Sequence, residues 1–217
     1  MTFPIDQPVL VLDACGASVQ TGVCQNGQWL SRADCGGDAL ENLFDLCETC
    51  LSDAGLELKD LGGYLFGEGP GSMLGIRLTA MAINTWRCLP GLEQPLFAYS
   101  SMDLAAHDLA EAKDLSHFVL VSRLRKKACI VVEWDPEQQS EPEVLSDEAI
   151  KELAGPVWEL LLKGRGPHSY ENQWPYSIEG LPQRILAAEL RLYARETAAP
   201  FQIQKPEYQR WQGERHR

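Results

Sequence analysis

One glycine-rich stretch constrains the fold of this chain more than any other. Gly67-Glu-Gly-Pro-Gly-Ser-Met-Leu-Gly-Ile-Arg77 follows the apolar run 61–66 and leads into a long run of helical spacing. A buried strand joined by a tight turn to a helix is a βα unit, and such units build sheets covered by helices. Turns of this kind often cradle phosphate, but a P-loop needs Gly-x4-Gly-Lys-Ser/Thr, and no lysine stands here. Backbone N–H groups at the helix start attract anions, whereas Glu68 beside them repels one. The residues therefore read as a turn permitted by Gly67, Gly69, Pro70 and Gly71, with Ser72 capping the helix.

The surrounding pattern extends this unit. Val9-Leu-Val-Leu-Asp13 reads as a buried strand. Residues 19–23 and 28–31 read as two further strands joined by the hairpin signal Asn26-Gly27. Residues 38–53 have helical spacing, with Asp38 placed to cap the start and Gly55 to end it. A strand over 61–66, a helix over 72–88, a strand over 95–98 and a helix from 100 to about 112 complete the first half. The second half opens on a hairpin, 118–122 and 128–134, with the basic tip Arg123-Leu-Arg-Lys-Lys127. An acidic loop 135–142, a helix from Ser146 to near Gly155, a strand over 157–162, an irregular stretch 165–182 and a helix over 182–197 follow. The expectation is an α/β chain with two similar subdomains, 1–100 and 101–217, each a mixed sheet with helices.

Composition excludes several classes. The 217 residues are 45% hydrophobic, enough for one large domain or two small ones. No apolar run is long enough to span a membrane, and the first residues lack the basic and apolar regions of a signal peptide, so a cytoplasmic protein is expected. The net charge of −12 disfavours direct tight binding of tRNA or other nucleic acid. The basic tip and the tail 210–217 are small exceptions, read as solvated. Seven cysteines, an odd number and several inside apolar runs, read as reduced core residues. Cys47-Glu-Thr-Cys50 has no second ligand pair for zinc and falls mid-helix, so it reads as structural filler.

Catalytic chemistry is hard to assemble from these residues. Asp13 is an isolated acid at a strand end, and such an acid is more often a turn or cap. His107 reads as a helix-surface residue and His117 as a strand-edge one, and no motif joins His107 or His168 to a nucleophile. What the sequence does offer is apolar helix surface. In the helix 72–88, Met73, Ile76, Ala80 and Ile83 share one side and Leu74, Leu78, Met81 and Thr85 another, so both sides need cover, from this chain or from a partner.

Val9 to Val23 resembles the opening strand pair of the acetate kinase/sugar kinase/Hsp70/actin superfamily. Gly69-Pro-Gly-Ser-Met-Leu-Gly-Ile-Arg77 resembles the GPGS loop of the TsaB (YeaZ-like) family within it. Leu153 to Gly164 and Lys205-Pro-Glu-Tyr-Gln-Arg210 are similar to later passages of the same family. The chain departs from the family pattern at Ala14-Cys15, at Gly36-Gly-Asp-Ala-Leu-Glu41 and at Ser122-Arg-Leu-Arg-Lys-Lys-Ala128.

The resemblance implies two actin-like (ribonuclease H-like) subdomains and a non-catalytic subunit. That subunit would support TsaD-catalysed threonylcarbamoyl transfer to adenosine next to the tRNA anticodon. The implied interface is Leu40, Leu43, Phe44, Cys47, Met73, Arg77, Ala80, Met81 and Asn84. The implied partners are a TsaD-like subunit and a TsaE-like ATPase, with a homodimer through the same helices as an alternative. No cofactor or metal of its own is expected, ATP, magnesium and metal belonging to partner subunits. The competing expectation is a nucleotide-dependent kinase or ATPase of the same fold, using Asp13.

Overall fold

The computed structural model describes residues 2–36, 39–136, 140–162 and 169–203, the side chains of 39 and 40 excepted. The first sheet is built around β1 (Val9–Asp13), whose five residues are all buried. A strand covered on both faces needs no polar alternation, which is why its sequence is a continuous apolar run. β2 (Ser18–Gln25) runs antiparallel to β1 and turns through Asn26 and Gly27, both at positive φ, into β3 (Gln28–Gly36). β4 (Gly63–Gly69) lies parallel to β1, and β5 (Leu96–Ser100) parallel to β4. With β11 (Tyr193–Arg195) at one edge, the order across the sheet is β11-β5-β4-β1-β2-β3.

α1 (Ala39–Asp53) and α2 (Met73–Arg87) cover one face of this sheet, where Leu10, Leu12, Leu43, Tyr64, Phe66 and Ile83 form the core. The other face carries Val9, Val11, Leu65, Phe97 and Tyr99 under Leu104, Leu181 and Ile185. Leu104 belongs to α3 (Ser101–Lys113), which is shared between the sheets. Its Met102, Ala105 and Leu109 pack instead with Phe118, Leu120 and Ile130 of the second sheet.

The second sheet, with β10 (Asn172–Pro175) and β8 (Glu143–Ser146) at its edges, has the order β10-β9-β6-β7-β8. Its centre is the hairpin of β6 (Phe118–Arg125) and β7 (Ala128–Trp134), with β9 (Val157–Leu161) parallel to β6. Both sheets are thus mixed and helix-covered, as the α/β expectation requires. Among the described residues no helix is long and apolar enough to cross a membrane.

Several elements differ from the sequence expectation. β4 extends through Gly69, so Gly67 and Gly69 are strand residues and not loop. The helix expected over 182–197 is only α5 (Leu181–Leu186). Ala188 at φ 56 stops it, and 193–195 become β11 (Tyr193–Arg195), pairing with the free edge of β5. Pairing at an open edge satisfies backbone groups that a longer helix would leave facing that edge. The segment thus returns to the first sheet although it follows the second in sequence. β8 (Glu143–Ser146) arises between the expected loop 135–142 and the expected helix start, and β10 (Asn172–Pro175) within the stretch 165–182 expected to be irregular. The helix from Ser146 is the short α4 (Asp147–Ile150). Asp38, the expected cap of α1, lies outside the described residues.

Candidate functional site

The glycine turn is shaped by what packs against it. A Cβ on Gly67 would stand 2.1 Å from Asp13 Oδ2, one on Gly71 2.6 Å from Cys15 Cα, and one on Gly75 2.6 Å from the Ala14 carbonyl oxygen. The three contacts are with the end of β1 and the turn that follows it, so these glycines let that corner nest against β4 and α2. Hydrogen bonds hold the nest: Ser72 N donates to the Cys15 carbonyl at 3.0 Å, and Ser101 Oγ to the Pro70 carbonyl at 2.6 Å. Ser72 caps α2 by accepting from Gly75 N at 3.4 Å, as its position in the sequence suggests.

Glu68 is paired with Arg195. Its carboxylate is 4% exposed and accepts from Arg195, Nε to Oε2 at 3.0 Å and Nη2 to Oε1 at 2.7 Å. Its carbonyl accepts from Phe201 N at 2.7 Å. A forked guanidinium answers a buried carboxylate geometrically as well as electrostatically. The turn is therefore roofed by the segment 195–201, a contact between residues too distant in sequence to be read from it.

Asp13 makes the turn bond that its place at a strand end suggests, and it is not an open acid. It is 0% exposed, and its Oδ2 accepts from Tyr99 Oη at 2.6 Å and from Tyr176 Oη at 2.6 Å. Its Oδ1 accepts from Cys15 N at 2.8 Å. Burial pushes its pKa up, opposed by the bonds from Tyr176, Tyr99 and Cys15. Burial, with the Asp13 charge second, drives the two tyrosine hydroxyls and the Cys15 thiol well above their ordinary values. Neither tyrosine nor the Cys15 thiol is poised to lose a proton near neutrality.

The expected interface on α1 and α2 divides. Leu43, Cys47 and Ala80 are 1%, 2% and 4% exposed and belong to the core beneath the helices, so they are not surface residues. Helical spacing shows that residues share a face but not which face meets the sheet. Asn84 is half-buried and holds Ala198 from both sides, Nδ2 to the carbonyl at 3.0 Å and Ala198 N to Oδ1 at 2.9 Å. Leu40 lies outside the described side chains.

Phe44, Met73, Arg77 and Met81 are exposed, and so is Leu74, which the interface reading left out. Leu74, Leu78, Met81 and Thr85 form the row that was expected to need cover, and among the described residues it remains open to solvent or only half-buried. Phe44 meets it through an edge contact with Trp86 at 6.0 Å between centroids.

Other candidates resolve as structure. Cys47 and Cys50 point at β2, where Cys47 Sγ lies 3.6 Å from Thr21 Oγ1, and burial pushes the Cys47 thiol up to about 12. Every described cysteine is a free thiol. His107 is not a surface residue: its ring packs edge-on to Trp134 at 4.6 Å, beside Asp103. His117 is exposed, just ahead of β6. Arg123 is drawn from the basic tip into a pair with Asp147 at 2.5 Å, over the Tyr170 ring, leaving Arg125, Lys126 and Lys127 exposed. His168, Lys205 to Arg210 and the tail 210–217 lie outside the described residues. Among the described residues no group of three metal-ligating side chains exists.

Two mixed, helix-covered sheets sharing α3 define a two-lobed α/β class. Within that class the chain is similar to solved YeaZ structures. YeaZ from Pseudomonas aeruginosa aligns over 90% of this chain and 99% of its own, at 16% identity and a TM-score of 0.64. A second structure, described as an uncharacterized protein with similarity to peptidase YEAZ from Pseudomonas aeruginosa, aligns over 91% and 100%, at 16% identity and a TM-score of 0.66. The chain therefore has the YeaZ fold over nearly its whole length. No protein-family model and no curated protein matches the sequence.

Proposed function

We propose that this chain is a docking subunit of the TsaB (YeaZ) type. It pairs through α1 and α2 with a TsaD-like subunit and supports that subunit's transfer of threonylcarbamoyl to adenosine beside the tRNA anticodon. A TsaE-like ATPase is the further partner, and the chemistry belongs to the partners. The observation that carries this reading is the exposed apolar surface of Phe44, Leu74 and Met81, which are 52%, 61% and 65% exposed on adjoining helices. Surface of this kind on a chain of net charge −12 favours a protein partner over nucleic acid. The YeaZ fold and the Gly69–Arg77 turn support the choice of partner. The burial of Asp13 beneath two tyrosines weighs against the kinase reading, in which that acid must reach a magnesium ion.

The test is light scattering of the chain alone and mixed with the TsaD-like subunit from the same source. A one-to-one complex that Met81→Glu weakens at least tenfold, with Tm unchanged, supports the reading. A chain that ignores TsaD, with or without the substitution, sinks it. Magnesium-dependent ATP turnover abolished by Asp13→Ala would install the kinase reading instead.

A further inference from the structure

The Asp13 site has a second feature that docking does not use. Residues 175–178 are a crossover, carrying the chain from β10 in the second sheet to α5 on the first. Tyr176, in that crossover, packs against the apolar cluster of the first sheet and also against that of the second. Its hydroxyl ends on the same Asp13 oxygen that Tyr99 of β5 reaches. Two residues on, Ile178 N donates to Gln20 Oε1 at 3.1 Å, and Gln20 is the register partner of Asp13 across β1 and β2. Gly16 makes room for the ring, since a Cβ there would lie 2.9 Å from Tyr176 Cδ1. The crossover is thus fastened at neighbouring points on β1 and β2.

We propose that Asp13, Tyr99 and Tyr176 form a latch that fixes the second sheet against the first and keeps the β1 acid sealed. A buried carboxylate needs its donors, and losing one leaves it under-bonded in a medium that solvates it poorly. Withdrawal of Tyr176 therefore favours a state in which Asp13 meets water and the crossover leaves the first sheet. Because Tyr99 and Tyr176 serve one oxygen, the latch opens as a unit and not by gradual loosening. In the closed state the acid is a structural acceptor, and the α1–α2 face and the second sheet move as one body.

Native-state hydrogen exchange on the full chain tests this, with no partner present, so its outcome is independent of the docking reading. Tyr176→Phe keeps the ring and removes the donor. It is expected to speed exchange roughly ten- to hundredfold, the loss of one bond to a charged acceptor, both in 172–180 and in 9–22. Exchange in α1 and α2 stays unchanged. Asp13→Asn should act on the same two segments, and the double variant should add little to either single one. Faster exchange confined to 172–180, or additive effects in the double variant, overturns the latch. So does a silent Tyr176→Phe beside a disruptive Tyr176→Ala, which would reduce Tyr176 to packing alone.

Discussion

Replacing Gly75 by Ala sets two physical effects against each other, and the structure fixes which one wins. Gly75 lies inside α2, where helix propensity alone predicts a gain of about 0.8–1.0 kcal/mol for alanine. The added Cβ, however, would stand 2.6 Å from the Ala14 carbonyl oxygen and 2.8 Å from the Ala14 Cβ. That backbone cannot step aside freely, because Cys15 N is bonded to Asp13 and the Cys15 carbonyl to Ser72 N. Overpacking of this kind costs roughly 1–3 kcal/mol. The net expectation is a loss of up to about 2 kcal/mol, which for a chain of this length lowers Tm by up to roughly 8 °C. Thermal unfolding followed by circular dichroism reads the sign directly. Gly36→Ala, where nothing among the described residues lies within 4 Å, serves as the control and should leave Tm unchanged or raise it. A Tm for Gly75→Ala at or above that of the parent would refute the packing account of the glycine turn. It would return the turn to a ligand-binding role.

Four further outcomes are expected. Arg195→Ala strands the buried Glu68 carboxylate and should cost roughly 3–5 kcal/mol in urea unfolding, whereas Glu68→Gln with Arg195→Gln should recover much of it. Burial raises Asp103 to about 6 from an unfolded 3.8, so its contribution is greatest below the unfolded value and is lost as pH rises through about 6. Asp103→Asn should accordingly flatten the stability profile between roughly pH 4 and 6. Thiol titration should label Cys88 quickly in the native protein, with Cys15, Cys24, Cys47, Cys50 and Cys129 reacting only on unfolding, since those five are buried and their thiols are held above the ordinary value. Leu43→Ala should cost about 2–5 kcal/mol, while Met81→Ala on the exposed side of α2 should stay within about 0.5 kcal/mol.

Local chemistry was legible in the first half of the chain. The bounds of α2 follow from Ser72 as cap and Pro90-Gly91 beyond its end, and the β2–β3 hairpin from Asn26-Gly27. The CxxC reading as core filler also agrees with where Cys47 and Cys50 sit. The candidate site was legible only as a list. The family resemblance placed Leu43 and Phe44 in one interface, yet adjacent helical residues point about 100° apart, and one fills the core while the other meets water. The extended helix 182–197 was misread because Leu186, Leu190 and Tyr193 match a helical period that the open edge of β5 outcompetes.

The sequence by itself determined the central sheet-forming runs, the caps of α2 and α3, the glycines and the absence of a phosphate-binding lysine, because each depends on neighbours a few residues away. Only the tertiary structure decided what those glycines touch, which face of α2 is open and what Asp13 does. Tyr176 reaches Asp13 across 163 positions, and Arg195 reaches Glu68 across 127. Such pairings depend on how two sheets and a returning edge strand pack together, and on the cost of burying a charge without a donor, neither of which leaves a period or a motif along the chain.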